Sequence, residues 1–122
     1  MLHDRPRKFR DGPLSVAAHF SLRDDGTVQR VEDFVAGWVH GIVATSHIDF
    51  LDDFVVQPHV VRRGENSLDV VFDAKPGSQR WKDWMVFLTR DIQSSIPGVA
   101  LEHFYDLVTN QVHPDSVQRG SR

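Results

Sequence analysis

The chain has no cysteine. That excludes a disulfide framework and every thiolate metal site, and it fits a reducing compartment. Long hydrophobic runs are also missing. A stretch such as Met85-Val86-Phe87-Leu88 falls far short of the roughly 20 apolar residues that a membrane-spanning helix needs. Met1–Gly12 carries charges but no apolar segment of the kind a secretory signal requires. A soluble, cytoplasmic protein is therefore expected. Positive charge is in deficit: 14 Lys and Arg stand against 17 Asp and Glu, for a net charge of −3. Arg5, Arg7, Lys8 and Arg10 sit in the first twelve residues, so the body of the chain is more acidic than the total. An acidic body argues against a nucleic-acid groove, which needs clustered cations to neutralise phosphates.

What is present is a succession of hydrophobic periods. Leu14–Leu22 alternates strictly, with Leu14, Val16, Ala18, Phe20 and Leu22 on one face and Ser15, Ala17, His19 and Ser21 on the other. Val28, Val31, Val35, Trp38 and Ile42 repeat at helical spacing, widened by Phe34, Val39 and Val43. Thr27 can cap that helix. Gly37 and Gly41 on its flank suggest close approach of another backbone, or simple tolerance. Residues 46–53 read as a helix extension or a loop that tucks Phe50 and Leu51 under a sheet. Alternation returns at Phe54–Arg62 and Leu68–Ala74, joined through Arg63-Gly64-Glu65-Asn66-Ser67. Pro58 cannot donate to a ladder, which assigns its strand to an edge or a bulge. Ser78 is a candidate N-cap for a second helix with Trp81, Trp84, Met85, Leu88 and Ile92 inward. Val99–Val108 is extended but alternates poorly, as a bulged strand would.

The string β-α-β-β-α-β predicts an α+β ferredoxin-like sandwich: a four-stranded antiparallel sheet of order 4-1-3-2 with two helices on one face. Residues 1–12 read as a flexible basic arm, 13–110 as a single domain and 111–122 as a flexible tail. Gly26-Thr27-Val28-Gln29-Arg30-Val31 resembles the G-x-V-Q-G-V loop of acylphosphatases over six residues. Arg30 replaces the glycine that admits phosphate, and that family's catalytic arginine has no match, so the resemblance does not carry the activity with it.

Candidate chemistry comes from the strand phases. If the helices cover one face, the other presents His19, Gln57, His59, Asp69 and Asp73. The last strand adds either His103 with Tyr105 or Glu102 with Asp106. An imidazole beside a carboxylate gains an oriented tautomer suited to proton transfer. His19, His59, Asp69, Asp73 and His103 are therefore the candidate site residues. His47 with Asp49, Asp52 and Asp53 lacks calcium-loop spacing and reads as a solvated acidic loop. No nucleotide loop, nucleophile elbow or metal motif is present, and no cofactor or metal is expected. The site-bearing face also includes Ala17, Val55, Val61 and Val71, a mixture suited to two-fold association. Pairing sheet to sheet would make a dimeric α+β barrel. The expected function is a homodimeric module that binds a small molecule or a protein. The alternative is a cofactor-independent dimeric α+β-barrel enzyme, comparable to small oxygenases or polyketide cyclases, using the open-face His/Asp site.

Overall fold

The computed structural model describes residues 14–23, 26–45 and 50–112. The basic arm and residues 113–122 lie outside them, as do His47, Asp49 and the Asp24-Asp25 pair. The described elements run β1 (Leu14–Leu22), α1 (Gly26–Thr45), a short 3-10 turn (Phe50–Asp53), β2 (Phe54–Gly64), β3 (Ser67–Ala74), α2 (Trp81–Ser95) and β4 (Val99–Asp106). The result is an α+β domain with a four-stranded antiparallel sheet and two helices. Its hydrogen-bonded order is β2-β3-β1-β4, or 4-1-3-2 counted from the opposite edge. β1 and β3 are central neighbours. Among the described helices, none is long and apolar enough to cross a membrane.

Alternation decides which face is dry. Val16, Ala18 and Phe20 of β1 and Leu68, Val70 and Phe72 of β3 are fully buried in one core with Val28, Val31, Val35 and Val39 of α1 and Met85, Leu88 and Ile92 of α2. Each of these side chains larger than alanine contributes about 1.5–3 kcal/mol by leaving water. Ala17 and Val71 are also buried but take no part in that core. They face each other in register on the opposite side of the sheet.

Several local expectations are corrected. A Cβ at Gly37 or Gly41 would meet nothing within 4 Å, so neither glycine marks a close backbone approach. Val43, assigned to the apolar stripe, is exposed. Ser78 does not cap α2. The N-cap position is Arg80, without a side-chain cap bond, and Ser78 Oγ donates to Asp53 instead (2.9 Å). Lys75-Pro76-Gly77-Ser78 closes a turn through Ser78 N to Lys75 O (3.2 Å). Gly77 has φ +86° there, a conformation that costs glycine little.

The 3-10 turn is pinned rather than loose. Asp53 is buried, accepts from Ser78 and from Trp84 Nε1 (2.9 Å), and pairs with Arg80, whose Nε lies 3.2 Å from its Oδ2. Phe50 sits fully buried among Trp38, Phe54 and Trp84, with ring centroids 5.0–6.0 Å away. Leu51, expected to tuck under with it, is exposed. Consecutive residues of so short a turn point in different directions, so one of the pair goes inward. Phe50→Ala is expected to cost about 3–5 kcal/mol, as cavity-forming aromatic truncations do, and Leu51→Ala to stay within about 0.5 kcal/mol. Urea unfolding of the two variants side by side checks this contrast.

Candidate functional site

Cross-strand register assembles the second face of the sheet. His19 of β1 lies opposite Asp69 of β3 on one side and opposite His103 of β4 on the other. One step along, Ala17 lies between Val71 and Tyr105. A register shift between His19 and Phe20 leaves Glu102 as the extra residue of a β4 bulge. The bulge resolves the poor alternation of β4. Leu101 packs against the core, whereas His103 and Tyr105 share the opposite face. Glu102 joins that face, accepting a hydrogen bond from Ser21 Oγ (2.6 Å). Asp106 is buried and closes the turn after β4, its Oδ1 accepting from Val108 N (2.8 Å) and Thr109 N (3.1 Å). The chain then returns to β4 through a Tyr105–Val112 bridge, so Gln111 and Val112 are paired where fraying was expected.

The β2–β3 hairpin supplies one further residue. Gly64 pairs with Ser67, leaving a two-residue loop of Glu65 and Asn66. Arg63, read from sequence as part of a longer loop, therefore belongs to β2. Its Nε donates to Asp69 Oδ2 (2.7 Å).

Asp69 is the centre of the arrangement and has no exposed surface. His19 Nδ1 lies 2.8 Å from its Oδ1, and Arg63 and the Tyr105 hydroxyl both donate to Oδ2. The four residues come from four strands. Burial pushes the Asp69 carboxyl up, but hydrogen bonds from Tyr105, His19 and Arg63 outweigh it and hold the group below its ordinary value. The carboxylate is thus an anion at neutral pH and can only accept. Burial, and then the bond to Asp69, push the Tyr105 phenol up, so it remains a donor. The hydrogen bond to Asp69 likewise raises Arg63. His103 stacks on His19 with ring centroids 5.2 Å apart and planes at 29°, and lies 5.8 Å from the Tyr105 ring. Burial, with the neighbouring His19, pushes His103 down.

Of the five candidates named from sequence, the structure brings together His19, Asp69 and His103. Asp73 is four register pairs away, opposite Ser15, whose Oγ donates to it at 2.5 Å. His59 is opposite Val71 on the edge strand, exposed, with Nδ1 3.2 Å from the Gln57 carbonyl oxygen. Neither contacts Asp69, so the expected five-residue site contracts to three and gains Arg63 and Tyr105. Tyr105 was legible as one of two phase alternatives. Arg63 was missed because a hairpin's loop length is set by pairing rather than by composition. Asp53 is occupied by Ser78, Trp84 and Arg80, which leaves no role for it in the acidic-loop group with Asp52. Among the described residues no group of three or more His, Asp or Glu is placed to hold a metal ion. No family model matches the chain, and no curated protein or solved structure matches it.

The network sets a pH profile. Asp69 is depressed in the folded state, so its stabilisation is complete above the ordinary value of 3.8 and is lost as pH falls through the lower folded value. His103 is also depressed. Below 6.5 the unfolded chain binds that proton first, and stability steps down. Tyr105 is raised, so above 10.0 the unfolded chain loses its proton first and stability falls again. Stability is therefore expected to plateau between these limits, and His103→Gln to remove the step near 6.5 in thermal unfolding across pH. Tyr105→Phe takes one donor from a buried anion. It is expected to cost about 1.5–3 kcal/mol and to raise the acid-unfolding midpoint, read by circular dichroism.

Proposed function

We propose that this is a ferredoxin-like domain whose sheet face away from the helical core binds a small molecule, and that two copies pair across that face as a dimeric α+β barrel. The observation that carries the reading is Asp69. A fully buried, ionised carboxylate held by donors from three other strands lies on the face that the helical core does not use. Stability alone gives little reason to keep such a group, since buried ion pairs seldom outperform apolar residues of equal volume. Perturbed titratable groups converging at one place are a mark of functional sites. The partly exposed rings of His103 and Tyr105 supply the nonpolar part that small-molecule sites combine with a few polar groups. Self-association is supported by the small size of the domain and by this mixed face.

A second reading, a cofactor-independent enzyme working on the same face, is favoured by one feature. His19 is tied through Nδ1 to a carboxylate, the arrangement that fixes an imidazole for acid–base work.

Light scattering at micromolar concentration is expected to return twice the chain mass of 13.9 kDa. A thermal-shift screen is expected to yield ligands whose stabilisation disappears in His19→Ala. A monomer mass would remove the barrel. Hits that stabilise wild type and His19→Ala equally would remove the site.

A further inference from the structure

A proton-accepting atom and a ligand class can be assigned on the enzymatic reading of this face, and the assignment rests on that reading. Asp69 faces His19 through a hydrogen bond and His103 faces it through ring stacking. Arg63 and Tyr105 act on it through the shared carboxylate, and Glu102 lies beside His103 on the bulge. Because ionised Asp69 can only accept, His19 must donate from Nδ1, which places the imidazole lone pair on Nε2. Among the described residues nothing hydrogen-bonds to that nitrogen, and the His19 side chain keeps 26% of its surface exposed. Arg63 already supplies a positive partner to the carboxylate. The buried charge therefore does not require a proton on His19 for balance.

Ligand class follows from proton affinity and from the surroundings. Net proton transfer to an imidazole, with no bond forming at the oxygen, is far less uphill from a phenol than from an aliphatic alcohol, whose hydroxyl is a much weaker acid. The neighbouring surface suits a planar ring: the stacked His103 and the Tyr105 ring are both partly exposed beside His19.

We propose that His19 Nε2 accepts the hydroxyl proton of a phenolic ligand bound on this face, with Asp69 as the positioning residue. The ligand O–H bond breaks and an Nε2–H bond forms. The bonding pair stays on oxygen as phenolate, and nothing is oxidised or reduced. The imidazolium is stabilised by Asp69, and the phenolate by the imidazolium.

The test uses the full chain and 4-nitrophenol, whose ionised form absorbs visible light. Equilibrium dialysis measures binding, and absorbance across pH measures ionisation of the bound dye. The ionisation midpoint of bound 4-nitrophenol is expected to lie below that of the free dye by about one pH unit, the effect of an adjacent opposite charge. His19→Gln is expected to bind the dye more weakly, and the dye still bound at saturating concentration to ionise at its free midpoint. Asp69→Asn should do the same if it folds, and His19→Gln, at a partly exposed position, decides the matter if it does not. An unshifted midpoint in wild type, an equal shift in His19→Gln, or no saturable binding of 4-nitrophenol overturns the inference. Failure of the binding reading shows separately, in the mass and in the thermal-shift screen.

Discussion

A carboxylate with no access to water has to be surrounded by donors, and Asp69 is such a group. An unpaired ion in that position would cost several kcal/mol after all relaxation. Much of the face away from the helical core is arranged around this constraint. His19, Arg63 and Tyr105 each converge on one of its two oxygens, and each comes from a different strand. The carboxylate therefore ties β1, β2 and β4 to β3 through side chains as well as through the backbone ladder. It also decides protonation. An anion at this point fixes the donor nitrogen of His19, keeps the Tyr105 phenol protonated and holds Arg63 in place.

The domain contains a second buried carboxylate of the same construction but in different company. Asp53 also gathers two hydrogen-bond donors, Ser78 and Trp84, and an ion pair with Arg80, and its backbone oxygen accepts from Lys75 N (3.0 Å). All of those partners belong to the start of α2 or the loop leading into it. Asp53 joins the 3-10 turn to α2 beside the aromatic cluster of Trp38, Phe50 and Trp84. Its partners hold an element in place. Those of Asp69 include a partly exposed imidazole stacked on another imidazole, on the face away from the core that the described helices share. Two buried aspartates with similar hydrogen-bond counts thus support different readings, because what surrounds the donors differs.

Much of the architecture was legible in advance because side-chain period is a local property. Strict alternation in β1 and β3 identified the dry face residue by residue, and placed His19 and Asp69 on the other. Pro58 on β2 pointed to an edge, where the strand is found, with a register shift between Val56 and His59. Less was legible wherever pairing between distant segments makes the decision. The bulge in β4 exists only in relation to β1, and it is what sends His103 and Tyr105 to one face and Leu101 to the other. The two-residue turn at Glu65 and Asn66 lengthens β2 just enough to include Arg63.

The sequence by itself determined the order of elements, the dry face of each central strand, and the absence of thiolate chemistry. These follow from composition and from repeats shorter than one element. Only the tertiary structure decided which polar residues on the second face belong together. His59 and Asp73 share the side of His19 by register, yet stand apart from it. Tyr105 joins it because its long side chain reaches from β4 across β1, and Arg63 because β2 lies next to β3. Proximity across a sheet depends on register, bulges and turn length, and no single stretch of chain encodes those alone.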